Sequence, residues 1–138
     1  MTDTAQLAPF IESIRLFLHV IGATIWVGGQ LVLAALVPVL KAKDASLPKI
    51  AAQKFNKVAW PAFFLLIATG LWNLADIPTG SPKSYHAVLG IKMLIVALSG
   101  VAALMHVRAK STKGLALWGA ISGLTAISAT YLGVLLAG

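Results

Sequence analysis

The stretch "LFLHVIGATIWVGGQLVLAALVPVL", residues 16–40, runs 25 positions without one formal charge. A helix needs roughly 20 apolar residues to cross ~30 Å of hydrocarbon, so this run reads as a transmembrane span. It nevertheless carries His19, Trp26 and Gln30, polar groups that hydrocarbon does not welcome. The rest of the chain fits the same setting. Of 138 residues, 59% are hydrophobic and 11% charged, and the mean hydropathy is +0.89. A soluble domain would carry about a quarter of its residues as charges. The composition therefore predicts an integral membrane protein made of a single domain over residues 1–138.

Several classes of function drop out. The chain has no cysteine, which excludes disulfides, zinc–thiolate sites and thiol catalysis. The net charge of +7 comes mostly from lysines between hydrophobic runs, where they set topology, so no nucleic-acid partner is expected. Asp3 and Glu12 stand where a signal peptide would have basic residues, and the apolar run that follows is too long for an h-region. The first segment is expected to be a permanent span.

Four segments are long and apolar enough to cross: about 10–40, 58–77, 87–107 and 115–137. "KAKDASLPKIAAQKFNK", "DIPTGSPKSYH" and "VRAKSTKG" break them. Backbone groups cannot pair with lipid, so each span must be helical. The fold class is all-α: an up-down-up-down four-helix membrane bundle. Lys41, Lys43, Lys49, Lys54, Lys57, Arg108, Lys110 and Lys113 flank the first and third connections, against only Arg15 and Lys83 on the other side. The positive-inside rule then puts both termini on the extracytoplasmic side. The first connection is either an amphipathic surface helix, since "LPKIAAQKFNKVAW" spaces its lysines helically, or a simple linker. Gly119, Gly123, Ala126, Thr130 and Gly133 form a small-residue stripe for helix packing, and Gly22, Gly28 and Gly29 thin the first span similarly.

Helical positions seven or eleven apart return to within about 20° of each other. Glu12, His19, Trp26 and Gln30 thus share one face, with Arg15 a little aside. Lys92, Ser99 and His106 share a face of the third span, and Thr69, Asn73 and Asp76 one of the second. Ser122, Thr125, Ser128 and Tyr131 are less tightly aligned on the fourth. By depth, His19 lies ~13 Å and Lys92 ~9 Å inside the outer end. Glu12, Arg15, His19, Asn73, Asp76, Lys92 and Tyr131 are therefore expected to converge in the outer leaflet, and His106 to sit at the cytoplasmic face.

An ionisable group inside a span is a functional candidate by default. Each also has a plain structural reading. Lys92 either serves a site or snorkels to the interface, and His19 either ligates or bridges two helices. His86 and Tyr85 anchor the interface, and Asp76 pairs with Lys92 or Arg15. Trp26 fills the core or offers a cofactor platform, while Trp60, Trp72 and Trp118 fit interface belts.

"LHVIGATIWVGG" resembles the first-span signature of the copper-resistance D family, in which a histidine precedes a W-x-G element. "FNKVAWPAFFLLIATGLWNL" and "HAVLGIKMLIVALSGVAALMHVRAK" are similar to that family's second and third spans, so the likeness covers residues 14–110. It implies a bacterial plasma-membrane protein that binds or moves copper, for which His19, His86, His106, Met93 and Met105 are the available donors. A related four-helix family, the membrane-bound bacterial protoporphyrinogen oxidases, shares a first-span histidine and a third-span lysine associated with a b-type haem. His19 and Lys92 match those positions, although "VLGIK" replaces that family's usual context before the lysine. That likeness implies a redox protein with His19 as one axial ligand and Lys92, His106 or a partner's residue opposite. A third reading is a small accessory subunit of a larger membrane complex. In it the partners are the lipid bilayer and other membrane proteins or a second copy, and the polar stripe merely locks the bundle.

Overall fold

The computed structural model describes residues 6–137. Helix α1 (Phe10–Ala23), a π-helical turn (Thr24–Gly28) and α2 (Gly29–Lys43) follow one another without a break. Helices α3 (Leu47–Ala75), α4 (Lys83–Arg108) and α5 (Thr112–Ala137) complete the chain. Four helices, Phe10–Lys43 and the last three, are long and apolar enough to cross a membrane. The protein is an integral, multi-pass membrane protein of all-α class.

Three of the helices start or end close to the expected bounds. The second is longer by eleven residues at its start, so the connection before it shrinks to Asp44–Ser46. Hydropathy marks where a helix is greasy, not where it is helical. Pro48 sits in the first turn of α3, where its missing N–H leaves no bond unmade. The Asp44 carboxylate accepts from the Ser46 amide at 2.7 Å and the Ser46 hydroxyl at 2.6 Å, which closes the turn. Lys41 and Lys43 end α2, where cations favour the helix dipole. Pro61 lies inside α3, a position membrane helices tolerate because neighbours re-satisfy the freed carbonyl.

The helices pair as two antiparallel hairpins: α1 and α2 run along α3, and α4 runs along α5. The hairpins meet at mid-bundle around Trp26, which is 4% exposed. Its ring lies 4.5 Å from that of Phe63 and 5.6 Å from that of Trp60, centroid to centroid. Trp60 thus packs against the core instead of joining an interface belt, because the π turn brings Trp26 onto it. Close approach uses glycine between the helices, most tightly at Gly29, where a Cβ would stand 2.3 Å from the Phe55 ring. A Cβ on Gly100 would stand 2.6 Å from Phe63 Cζ, and one on Gly22 would stand 3.1 Å from the Ala62 carbonyl oxygen. Along the small-residue stripe of α5, Ala126 is buried in the core where α4 and α5 pack. Gly119 and Gly133 make room for side chains of α4, His106 and Lys92 respectively, and nothing stands against Gly123.

Candidate functional site

The polar face of the first helix is used along its whole length, but it turns as it goes. Before the π turn its residues bond to α3; Trp26 within the turn bonds to α4, and Gln30 after it to α5. A π turn holds more residues per revolution than an α turn, which swings the later side chains toward the second hairpin. The Trp26 indole N–H donates to Ser99 Oγ at 3.1 Å. Ser99 Oγ in turn donates to the Ser122 carbonyl at 3.0 Å, and Ser122 Oγ donates to Gln30 Oε1 at 3.0 Å. Ser99 and Ser122 are fully buried. In a membrane bundle such bonds hold helices together at ~0.6–2 kcal/mol each. Sequence reading placed all four on inward faces but did not join them.

Nearer the chain termini, Arg15 is buried at 6% exposure. Its guanidinium pairs with the Asp76 carboxylate and reaches Glu12 at 3.9 Å. Asp76 therefore answers to Arg15 and not to Lys92. The Arg15 Nε and Asn73 Oδ1 are buried without hydrogen-bond partners, so Asn73 does not contact His19 through that oxygen.

The partner of His19 is Thr69, with Nδ1 and Oγ1 2.8 Å apart. The Thr69 hydroxyl donates its single hydrogen to the carbonyl of Leu65 at 2.8 Å, with that of Leu66 at 3.2 Å sharing it. That hydrogen has three acceptors in reach, the two carbonyls and His19 Nδ1; given to Leu65, it makes Thr69 Oγ1 the acceptor of an Nδ1–H and leaves the Nε2 lone pair free. Thr69 was legible as one of the α3 polar face but not as the group that orients His19. The signal available was a threonine four residues before Asn73 and seven before Asp76, on the side turned to α1.

Lys92 lies nine residues into α4, in the half of the bundle that holds His19. Its Nζ would stand 3.1 Å from a Cβ on Gly133, so the side chain crosses to α5 over that glycine. Among the described residues no carboxylate pairs with it.

Three expected members lie elsewhere. Tyr131 is 67% exposed on the lipid side of α5 and does not join the cluster. Its offset from the face of Ser122 turns the ring away from the bundle. His86 is exposed in the first turn of α4 with its ring 6.0 Å from that of Tyr85. His106 closes the far end of α4, where its Nδ1–H donates to the Leu115 carbonyl at 2.8 Å. Twenty residues of helix, ~30 Å, separate these two histidines. A metal set of His19, His86 and His106 is therefore not assembled, and among the described residues no three of His, Asp or Glu gather to hold an ion. Met93 and Met105 are exposed on α4, away from His19.

No family model matches the chain, and no solved structure does. A protein of Aquifex aeolicus (strain VF5), described as "Uncharacterized protein", is 38% identical over 99 residues. The match covers 65% of this chain and 66% of that relative, just under two thirds of its length.

Proposed function

We propose that the chain is a b-type haem-binding redox protein of the membrane, in which His19 would hold the iron through Nε2. The observation that supports this is the Thr69 hydroxyl, which stands 2.8 Å from His19 Nδ1 and, bonded back to Leu65, is placed to accept from the ring. Ligating histidines nearly always donate their other N–H to an oxygen that fixes tautomer and ring orientation. Haem supplies one-electron exchange at its iron, and histidine is its common protein ligand. The chain's own residues would do the rest. Thr69 holds the ring, and Gly70 lies beside it, where a Cβ would stand in contact with Cε1 at 3.7 Å. Arg15, paired with Asp76, lies in the same half of the bundle. Lys92 is the candidate opposite His19, as the likeness to protoporphyrinogen oxidases implies; His106 is too far along α4.

Copper handling stands second. Copper takes several imidazole or thioether donors around one ion, and His19 has none beside it. The accessory-subunit reading gains from the Trp26–Ser99–Ser122–Gln30 chain, which stabilises the bundle with no ligand at all.

The absorption spectrum of the purified protein, supplied with haem in mild detergent, tests the proposal. A Soret band is expected in the parent and in His106→Gln, and its loss in His19→Ala. A parent protein without the band, or a band unchanged in His19→Ala, overturns it.

A further inference from the structure

We propose that the α2–α3 end of the bundle seats the headgroup of an anionic phospholipid, its phosphodiester held between Lys54 and Lys57. The first turns of α3 have two faces. Ala51, Ala52, Phe55, Asn56 and Ala59 are turned inward, and Lys49, Gln53, Lys54 and Lys57 are exposed within one arc of the helix. A cavity of about 340 Å³ opens there, lined by Ile50, Gln53, Lys54, Asn56 and Lys57. Two ammonium groups and two carboxamides are donors suited to phosphate oxygens.

Nothing nearby neutralises these charges. Asp44 is the only acidic residue among the eight cations of that end, and its carboxylate is committed to Ser46. Among the described residues every ion pair belongs to Arg15.

The level is right as well. At 29 residues, α3 is ~43 Å long, while the hydrocarbon is ~30 Å thick. Its first eight or nine residues, 47–55, therefore reach the height of headgroups, and Lys57, two residues further in, brings its ammonium to that level along its own stem. The first hairpin also overhangs the second. From the mid-bundle serine pair, α2 continues ~20 Å beyond Gln30, whereas α4 continues ~14 Å beyond Ser99.

What favours a lipid over a free phosphate is the surface just below. Val58 and Phe64, 55% and 65% exposed, continue the face of Lys54 and Lys57 into the apolar zone. A molecule with its phosphate at the lysines would lay its acyl chains along them.

Native mass spectrometry of the full chain, released from detergent containing equal phosphatidylglycerol and phosphatidylcholine, tests this. The parent should retain phosphatidylglycerol selectively. Each lysine near an anionic headgroup is worth roughly fivefold, so Lys54→Gln with Lys57→Gln should cut that retention about 25-fold. Lys54→Arg with Lys57→Arg should keep it, and so should Lys110→Gln with Lys113→Gln on the other hairpin. Equal retention of both lipids overturns the proposal. So does an equal loss on neutralising Lys110 and Lys113, which would mean diffuse charge. Displacement of the lipid by millimolar glycerol phosphate would mean a free-phosphate site instead, and also overturns it.

Discussion

His19 shows how a single neighbouring hydroxyl decides what an imidazole offers. A serine or threonine inside a helix commonly bonds back to a carbonyl one turn earlier, and Thr69 does so to Leu65. That habit spends its hydrogen and converts the oxygen into a pure acceptor. The consequence is testable by substitution. Thr69→Val keeps the shape but leaves Nδ1–H without an acceptor, and should cost ~0.6–2 kcal/mol in detergent unfolding. Thr69→Ser keeps the bond and should recover most of that loss; an equal loss in both variants would mean the methyl group matters and not the hydrogen bond. Sequence alone made His19 stand out as an ionisable group in a 25-residue uncharged run. It did not make Thr69 stand out, because threonine is common in membrane spans and its role here depends on the angle between two helices. Asp76 has two candidate cations in the sequence for the same reason, and the packing of α1 on α3 pairs it with Arg15.

At the scale of elements, the helices cross where a glycine admits a specific side chain. Phe63 lies against the bare backbone of Gly100, and an aromatic ring in a packed core cannot move aside cheaply. Gly100→Ala should therefore destabilise by ~1–3 kcal/mol. Gly123 has nothing within 4 Å of a Cβ, so Gly123→Ala should be neutral or stabilising by up to ~1 kcal/mol. Equal effects in thermal unfolding would contradict this placement of the hairpins. The α2–α3 turn carries a pH signature of its own. The Ser46 hydroxyl and amide hold the exposed Asp44 carboxyl below the usual carboxylate range. Its folded pKa is depressed, so the bond's contribution is complete above the ordinary carboxylate value, about 4. It is lost as pH falls through the lower folded value. The Ser46 amide resonance should titrate with a midpoint below about 4, and Asp44→Asn should abolish that titration. A midpoint at or above the ordinary value would mean the turn is not closed this way. The start of α3 escaped hydropathy because its lysines lie on one exposed arc while its other face packs on α2. Periodicity contained that information, and apolar content did not.

For the whole molecule, the unusual feature is where the polar groups are. Leu, Ile, Val and Phe cover the outside, as lipid requires, and the inner faces carry the hydroxyls, the indole N–H and the buried guanidinium. That inversion explains why the number and order of helices were readable from hydropathy and charge, while the site was readable only in outline. Seven-residue spacing identifies an inward face for a straight helix. The π turn at Thr24–Gly28 divides that face between two neighbours, and no composition signal announces it. The hub should show this division directly. Ser99→Ala leaves the Trp26 indole N–H without its acceptor and should loosen contact between the hairpins, read as faster hydrogen exchange in α4 than in α1. Unchanged exchange in α4 would remove Ser99 from that role. The chemistry of the site turns on the state of one ring, with hydrogen on Nδ1 of His19 and a free electron pair on Nε2. Nitrogen NMR of the histidine-labelled, haem-free protein, assigned by the signal lost in His19→Gln, measures it. The prediction is one protonated and one bare ring nitrogen, with the hydrogen on Nδ1 and an exchange to the other tautomer in Thr69→Val. A hydrogen found on Nε2 in the parent protein would contradict the account.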